Sequence, residues 1–391
     1  MGFKANKRTN KDGSVTYWTR VDAGSDPITG KRLQPRLNAS TVGELKRLYA
    51  DAIRKVDQGG YTNAAKQTVA EYMAYWLDTY AKAATKPRTY DTYALMIKHH
   101  ITPAIGHVRL DKLTPTDLAT LYRQKLDGGR KDSKPGGLSP RTVRYIHATI
   151  REALAHAMKW GIVHRNVADA VDAPKLSSRE MTTWNAAQVT TFLAIAEATT
   201  RYAPVFMLAV LTGLRRGELL AVRWRDIDLD RGILAVRQTL VDRNGTLSFS
   251  SPKTHRSSRP VDLPESAIAA LKAHRRTQLE ERLAAGPIWQ DHDLVFATDL
   301  GRPIHPRNLF RAMQVAITKA KLPPIRFHDL RHTHATLLFQ ADVHPKIVSE
   351  RLGHATIGLT LDVYSHTLPG MQREAASRLD AMLTRSKKES A

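Results

Sequence analysis

The stretch "RFHDLRHTHATLLFQADVHPKIVSERLGHATIGLTLDVYSHT", residues 326 to 367, crowds His328, Arg331, His332, His334, His354 and Tyr364 around a few apolar turns. His328, Arg331 and His332 stand at i, i+3 and i+4 and so share one helical face, with Leu330, Leu337 and Leu338 as apolar anchors. Three chemistries compete for such a set. A zinc site would use the histidines of "HDLRHTH", but Arg331 in the same patch repels a cation and Asp329 lies on another face. A structural role, partly buried and hydrogen-bonded, suits His332 and His334. The third is cleavage of a phosphodiester, which needs forked cations and a nucleophile. "RLGHATIG" puts Gly353 where a helix ends and His354 in the loop beyond it. Tyr364 falls at i+7 from Ile357 and i+4 from Thr360, so periodicity alone makes it a core or half-core aromatic. Upstream, "LTGLRRGELLAVRWRDID" sets Arg215, Arg216 and Glu218 at a helix start, where Glu218 would pair with one of the two arginines. "SPKTHRSSRPVDLP" sets Lys253 on or near a strand or turn tip, where a lone lysine is ordinarily solvated.

Composition narrows the choice. The chain has 391 residues, more than one core usually organises, so two or three domains are expected. Its 60 Lys and Arg against 37 Asp and Glu give a formal charge of +23 and a pI near 10.2, which calls for a polyanionic partner, with nucleic acid ahead of an acidic membrane. The apolar run "APVFMLAVLTGL" is too short to span a bilayer, and the polar N-terminus lacks a signal-peptide core. "MGFKAN" has Asn6 where a myristoylation signal wants Ser or Thr. The absence of Cys excludes disulfides, thiolate zinc sites and Cys nucleophiles, and fits a reducing cytosol.

Three groups of elements would position these residues. Residues 13 to 37 alternate aromatic or β-branched with polar residues and turn at "GSDPITGK", predicting a small hairpin or three-stranded sheet followed by a helix at "TVGELKRLYADAIRKVDQ". After a linker at "GGYTNAAKQ", four helical patterns run from Thr68 to about Pro174, two of them opening on the capping pairs Thr114-Pro115 and Ser139-Pro140, with the basic loop "GGRKDSKPGG" between helices. A second linker, "APKLSSREMTTW", leads into a part that mixes helices with a hairpin at "ILAVRQTLVDRNGTLSFS", turning on Asn244-Gly245. The division is therefore 1–62, 67–174 and 179–391: a small N-terminal β-sheet plus helix, an all-α domain, and a mainly α domain with a small β-sheet. Basic residues are spread over all three. Arg141 and Arg144, three apart on one helical face with Arg151 further along, suit phosphate or groove contact, and Arg88 and Lys98 are further candidates for DNA binding.

Taken in order, "TGLRRGEL" with Arg215, "PKTHRSSR" with Lys253, "HDLR" with His328 and Arg331, "LGH" with His354 and "DVYSH" with Tyr364 resemble the motifs of the tyrosine recombinase (phage integrase) family. No motif position is missing or substituted. The middle part is similar to that family's helical, SAM-like core-site-binding domain. The first part resembles the arm-site-binding sheet of integrases from phages and integrative elements.

The resemblance implies a catalytic set of Arg215, Lys253, His328, Arg331, His354 and Tyr364, and the chemistry fits those residue types. Attack on a phosphodiester builds negative charge on the nonbridging oxygens and expels an alkoxide. Arg215 and Arg331 would clamp those oxygens with forked donors that stay charged. His328 and His354 would add hydrogen bonds, His328 also helping to take the phenolic proton. A phenol of pKa about 10 is about one part in a thousand ionised at neutral pH, a deficit of about 4 kcal/mol that cationic surroundings would offset. The resemblance gives Lys253 the protonation of the leaving 5′-oxygen and Tyr364 the nucleophilic attack, while Glu218 orients a neighbouring side chain. A 3′-phosphotyrosyl ester conserves the bond energy, so neither cofactor nor metal is implied, and "GxxxxGK[ST]" is absent. Implied partners are double-stranded attachment sites of core and arm type, three further copies of the chain in a tetramer on a Holliday junction, a DNA-bending host factor and an excisionase. The implied location is the bacterial cytoplasm, at the nucleoid. Along "PGMQREAASRLDAMLTRSKK", Ala375, Ala376, Leu379, Met382 and Leu383 form a stripe that docks on its own domain or on a neighbour. Two alternatives stand beside the recombinase: a type IB topoisomerase-like relaxer and a non-enzymatic DNA-binding protein.

Overall fold

A computed structural model of the chain describes residues 3–10, 12–24, 32, 34–57, 67–130, 135–176, 181–243, 245–251, 258–354, 356–364, 376, 377 and 380. The chain forms two compact units, Met1–Ser178 and Arg179–Ala391. Among the described residues no helix is long and apolar enough to cross a membrane.

The first unit opens with strands β1 (Asn6–Thr9), β2 (Val15–Arg20) and β3 (Arg36–Ala39), an antiparallel sheet with β2 in the middle. The strand β1 precedes the stretch in which strands were expected, because "NKRT" carries no apolar alternation. Two-residue periodicity divides β2: Thr19 and, just beyond it, Val21 are buried, while Trp18 and Arg20 point to the other side. Helix α1 (Val42–Asp57) lies against β2 and β3 and buries Leu45 and Ala52.

The helical part begins with α2 (Val69–Trp76), capped by Thr68 and Glu71 in a reciprocal box. It passes through a π-helical turn, Leu77–Ala81, into α3 (Lys82–Ala84). Helix α4 (Pro87–Met96) likewise passes through Ile97–Ile101 into α5 (Thr102–Ile105). Both stretches were expected as plain α-helices; the wider turn rotates the side chains beyond it, a shift the apolar spacing does not reveal. Helices α6 (Pro115–Gly128) and α7 (Pro140–Lys159) start at the predicted caps, Thr114 accepting from the Asp117 amide and Ser139 from the Thr142 amide. Their apolar faces enclose Tyr72, Trp76, Leu118 and Ile146, each worth roughly 1.5–3 kcal/mol on burial.

In the second unit, α8 (Ala186–Thr199), α9 (Ala203–Thr212) and the short α10 (Arg216–Leu219) precede five strands: β4 (Ile227–Asp228), β5 (Ile233–Val236), β6 (Thr239–Arg243), β7 (Thr246–Ser250) and β8 (Arg259–Asp262). β4, β5 and β8 form one antiparallel sheet, whereas β6 and β7 form a separate hairpin in which Arg243 faces Thr246 and Gly245 takes a φ of 87°. The predicted hairpin is thus shorter than its sequence stretch, since β5 pairs with β8 instead. Helices α11 (Glu265–Ala285), α12 (Pro306–Lys319), α13 (Asp329–Gln340), α14 (Pro345–Leu352) and α15 (Ile357–Tyr364) complete the unit. Its core gathers Phe192, Phe206, Phe296, Leu309 and Leu330. Trp184, read from sequence as the end of a linker, is buried in this core: its amide donates to Thr333 Oγ1 (3.2 Å) and its indole to Pro323 O (3.0 Å).

Several expectations lie outside the described residues: the position of Lys253, most of the "GSDPITGK" turn and of the linker from Gly59, the middle of the basic loop, Asn244, and Ala375, Leu379, Met382 and Leu383 of the C-terminal stripe.

Candidate active site

Two helices stop in the same way to build the site. In "TGLR", Thr212 returns its hydroxyl to Leu208 O (2.5 Å), Gly213 takes a left-handed φ of 63° that ends α9, Leu214 is buried, and Arg215 emerges as the N-cap of α10. In "LGH", buried Leu352 is followed by Gly353 at φ 66°, which ends α14 and delivers His354. The left-handed region is sterically open to glycine, which explains the residue type at both stops.

The end of α14 organises what surrounds it. Helix C-termini leave carbonyls without intrahelical partners and carry partial negative charge. Three consecutive carbonyls here each receive a different guanidinium: Arg351 O from Arg259 Nε (2.7 Å), Leu352 O from Arg331 Nη2 (2.7 Å) and Gly353 O from Arg215 Nη2 (3.2 Å). Arg331 also donates Nη1 to Gly213 O (2.8 Å), so it fastens the end of α9 to that of α14. Arg351 reaches back to Leu211 O (3.0 Å) and Asp262 O (2.9 Å).

Glu218 is the anion of this cluster. Its Oε1 accepts from Arg215 Nη1 (2.7 Å), and its Oε2 from the Arg215 amide (3.0 Å) and Arg259 Nη2 (3.4 Å). Burial works against its charge, but the Arg259 and Arg215 guanidiniums outweigh burial and hold the carboxyl below its usual range. The predicted Arg–Glu pairing therefore involves Arg215, with a second partner that the sequence reading did not name.

His328 caps α13, one residue ahead of the helix, and stacks edge-on against His332 with centroids 5.1 Å apart. The surrounding protein, with the charges of His332, Arg331 and Arg215, lowers its pKa to about 4. His354 donates to or accepts from Thr360 Oγ1 (2.7 Å), and burial with the charges of Arg331 and Arg215 brings it to about 4. Both imidazoles are thus neutral at pH 7 and act as hydrogen-bonding groups. His334 is the structural histidine expected: buried, with Nδ1 2.7 Å from Val210 O. Asp329 is buried under the fork of Arg326, whose Nη2 lies 2.7 Å from Oδ1.

The structure therefore brings together Arg215, His328, Arg331 and His354. The two clamp candidates are unequal: Arg331 is 3% exposed, whereas the Arg215 side chain is 38% exposed. Tyr364 is the last residue of α15, which begins at Ile357, shortly after His354 in the chain, and its side chain lies outside the described part. Arg88, Lys98, Arg141 and Arg144 all lie exposed on the helical part of the first unit, away in sequence from this cluster, with Arg144 3.4 Å from Pro174 O. Sequence reasoning missed Arg259 and Arg351. A signal existed for the first: in "RPVD" two-residue alternation places Arg259 on the buried face with Val261, and a buried arginine requires a carboxylate.

Comparison with known proteins finds relatives over most of the chain. Residues 182–370 match the phage integrase family, and residues 68–126 match the phage integrase N-terminal SAM-like domain. A tyrosine recombinase XerC-like protein of Caldanaerobacter subterraneus subsp. tengcongensis is 28% identical, covering 96% of this chain and 98% of its own. The ICEBs1 integrase of Bacillus subtilis is also 28% identical, covering 94% and 97%. The fold is shared with the Tn1549 transposon integrase solved with circular intermediate DNA (TM-score 0.67, 20% identity, 80% of this chain and 100% of that one). It is shared too with lambda integrase, solved as a tetramer on a Holliday junction (TM-score 0.57, 19% identity, 91% and 94%). With residues 182–370 matching the family's catalytic model and residues 68–126 its N-terminal SAM-like domain, the chain belongs to the phage integrase family of tyrosine site-specific recombinases.

Proposed function

We propose that the protein cleaves and rejoins DNA at specific attachment sites through a 3′-phosphotyrosyl intermediate, integrating and excising a mobile element. The observation that carries this reading is the single cluster in which Arg215, His328, Arg331 and His354 share one electrostatic neighbourhood around three helix-end carbonyls. Arg215, the more exposed guanidinium, holds a nonbridging oxygen, while buried Arg331 fixes the site and adds charge that water does not screen. His328 and His354, neutral before DNA arrives, donate hydrogen bonds to the same phosphate. The Tyr364 oxygen attacks phosphorus, the bond to the 5′-oxygen breaks, and Lys253 gives that oxygen its proton; the phenolic proton leaves through His328. A 5′-hydroxyl from the partner duplex reverses these steps and releases Tyr364.

Three parts divide the work: residues 1–62 on arm-type sites, 67–174 on core sites, and 179–391 in catalysis. The outward face of the first sheet supports its share, for it carries Arg8, Trp18, Arg20, Arg36 and Asn38, with the Arg36 guanidinium 4.2 Å from the Trp18 ring centre. Arg88, Lys98, Arg141 and Arg144 serve the core-site part as phosphate contacts. Four copies act on two duplexes, in company with a DNA-bending factor and an excisionase, at the nucleoid in the bacterial cytoplasm. Relatives named integrase align over more than nine-tenths of the chain, N-terminal part included, which favours the recombinase over a relaxer or a non-enzymatic binding protein.

The test is covalent trapping on a nicked duplex carrying the junction sequence beside this gene's element. Wild type should leave a 3′ protein–DNA adduct on a denaturing gel that Tyr364→Phe and Arg215→Ala both abolish. An adduct surviving Tyr364→Phe removes the assigned nucleophile, and binding without any adduct returns the protein to the non-enzymatic class.

A further inference from the structure

Three guanidiniums cap the end of α14, and only two of them belong to the clamp named above. The third, Arg259, enters from the first position of β8 with its side chain 7% exposed. It touches both sides of the site. Through Nη2 it meets Glu218 Oε2, whose other hydrogen bond holds the Arg215 amide in place, and through Nε it holds Arg351 O, two residues before Gly353. The turn is built around it: a Cβ on Gly353 would lie 2.8 Å from Arg259 Nη1. The bonds close a ring that runs from Arg259 to Glu218, to Arg215, to Gly353 O and back through the end of α14.

Charge gives this ring a purpose beyond rigidity. A buried carboxylate facing one arginine forms a neutral pair with little attraction left for a phosphate. With two arginines on Glu218, the trio keeps a net positive charge in a partly desolvated place, where water screens it less than at an open surface. We infer that Arg259 is a positioning residue for strand cleavage, aiming Arg215 through Glu218, fixing the Gly353–His354 turn through the Arg351 carbonyl, and keeping the cluster cationic toward the scissile phosphate.

The inference rests on the recombinase reading, so its test begins from wild-type adduct formation, with Tyr364→Phe as control. Arg259→Gln and Arg259→Lys are compared in single turnover on two nicked duplexes, one with the natural scissile phosphate and one with a neutral methylphosphonate there. Arg259→Gln should lose about 10- to 100-fold on the phosphate, with DNA binding changed less than about threefold, and should lose less than about threefold on the methylphosphonate, because the missing charge matters only against an anion. Arg259→Lys, which keeps the charge without the fork, should recover at least about tenfold of that loss. If Arg259→Gln does not fold, Arg259→Met takes its place, and the larger loss on the phosphate than on the methylphosphonate is expected in Arg259→Met and not in Arg259→Lys. Equal losses on the two duplexes, or a loss explained wholly by weaker binding, reduce Arg259 to a structural strut and overturn the inference, as does an unimpaired Arg259→Gln. A wild-type chain that forms no adduct fails the recombinase reading itself.

Discussion

The cations of the two units live under different physics. In the second unit Arg259 and Arg331 are buried and bound to helix-end carbonyls, and Arg215 is tied to a carboxylate that is itself 5% exposed. In the first unit the basic side chains stand in water, and their ion pairs are surface pairs: Arg109 with Asp111 at 2.9 Å, Arg151 with Asp169 at 2.6 Å, Lys82 with Asp78 at 3.4 Å. Exposed pairs are worth about 0–1 kcal/mol and are screened by salt. The same residue type is therefore an individual, directional device in one region and part of a collective electrostatic surface in the other. Net charge of +23 describes the second role well and says nothing of the first.

The sharpest way to break this contrast is Arg331→Ala. Its removal orphans two buried carbonyls, Gly213 O and Leu352 O, and should cost about 2–5 kcal/mol in chemical denaturation together with at least about 10²-fold in adduct formation. Arg20→Ala on the first sheet should leave both nearly unchanged on a core-site duplex; comparable losses from the two variants would erase the distinction. A matched pair of glycines sharpens it further. Gly353 and Gly24 both take left-handed φ, 66° and 80°, but a Cβ at 24 meets nothing within 4 Å, whereas at 353 it meets Arg259. Gly24→Ala should cost about 1–2 kcal/mol, the backbone term alone, and Gly353→Ala distinctly more, with slower adduct formation; equal shifts in melting midpoint would show that the site yields freely.

Acid should find the second unit first. His354 and His334 are held to about 4 and about 3 by burial, below the ordinary 6.5, so in that interval the unfolded chain binds protons that the folded one refuses. Stability from these groups is complete above about pH 6.5 and falls as pH drops toward 4 and then 3, a trend that circular-dichroism melts across this range would read. A midpoint that stays flat down to pH 4 contradicts it. The smallest effect belongs to the sheet face: Arg36→Ala should change stability by under about 0.5 kcal/mol yet lower the slope of log affinity against log salt for arm-type DNA by about 1. An unchanged slope would take Arg36 out of the interface.

Much of this was legible without coordinates. The caps at Thr114 and Ser139, the helix stop at Gly353, the turn at Gly245 and the pairing of Glu218 with an arginine follow from residue type and spacing, because each depends on neighbours within a few positions. The motif order named the residues expected to be catalytic, and among the described residues the structure gathers Arg215, His328, Arg331 and His354 into one neighbourhood. Hidden were the π-helical turns, the burial of Trp184, the separation of β5 from the β6–β7 hairpin, and the part played by Arg259. By itself the sequence determined which residues could do chemistry and which local element carries each one. Only the tertiary structure decided which arginine meets which carbonyl, because Arg259 and Arg351 O lie 92 positions apart in the chain, and Arg215 and Gly353 O lie 138 apart. Periodicity tells which face a side chain leaves from; what it meets there is fixed by how helices and strands pack, and burial then gives the meeting its strength.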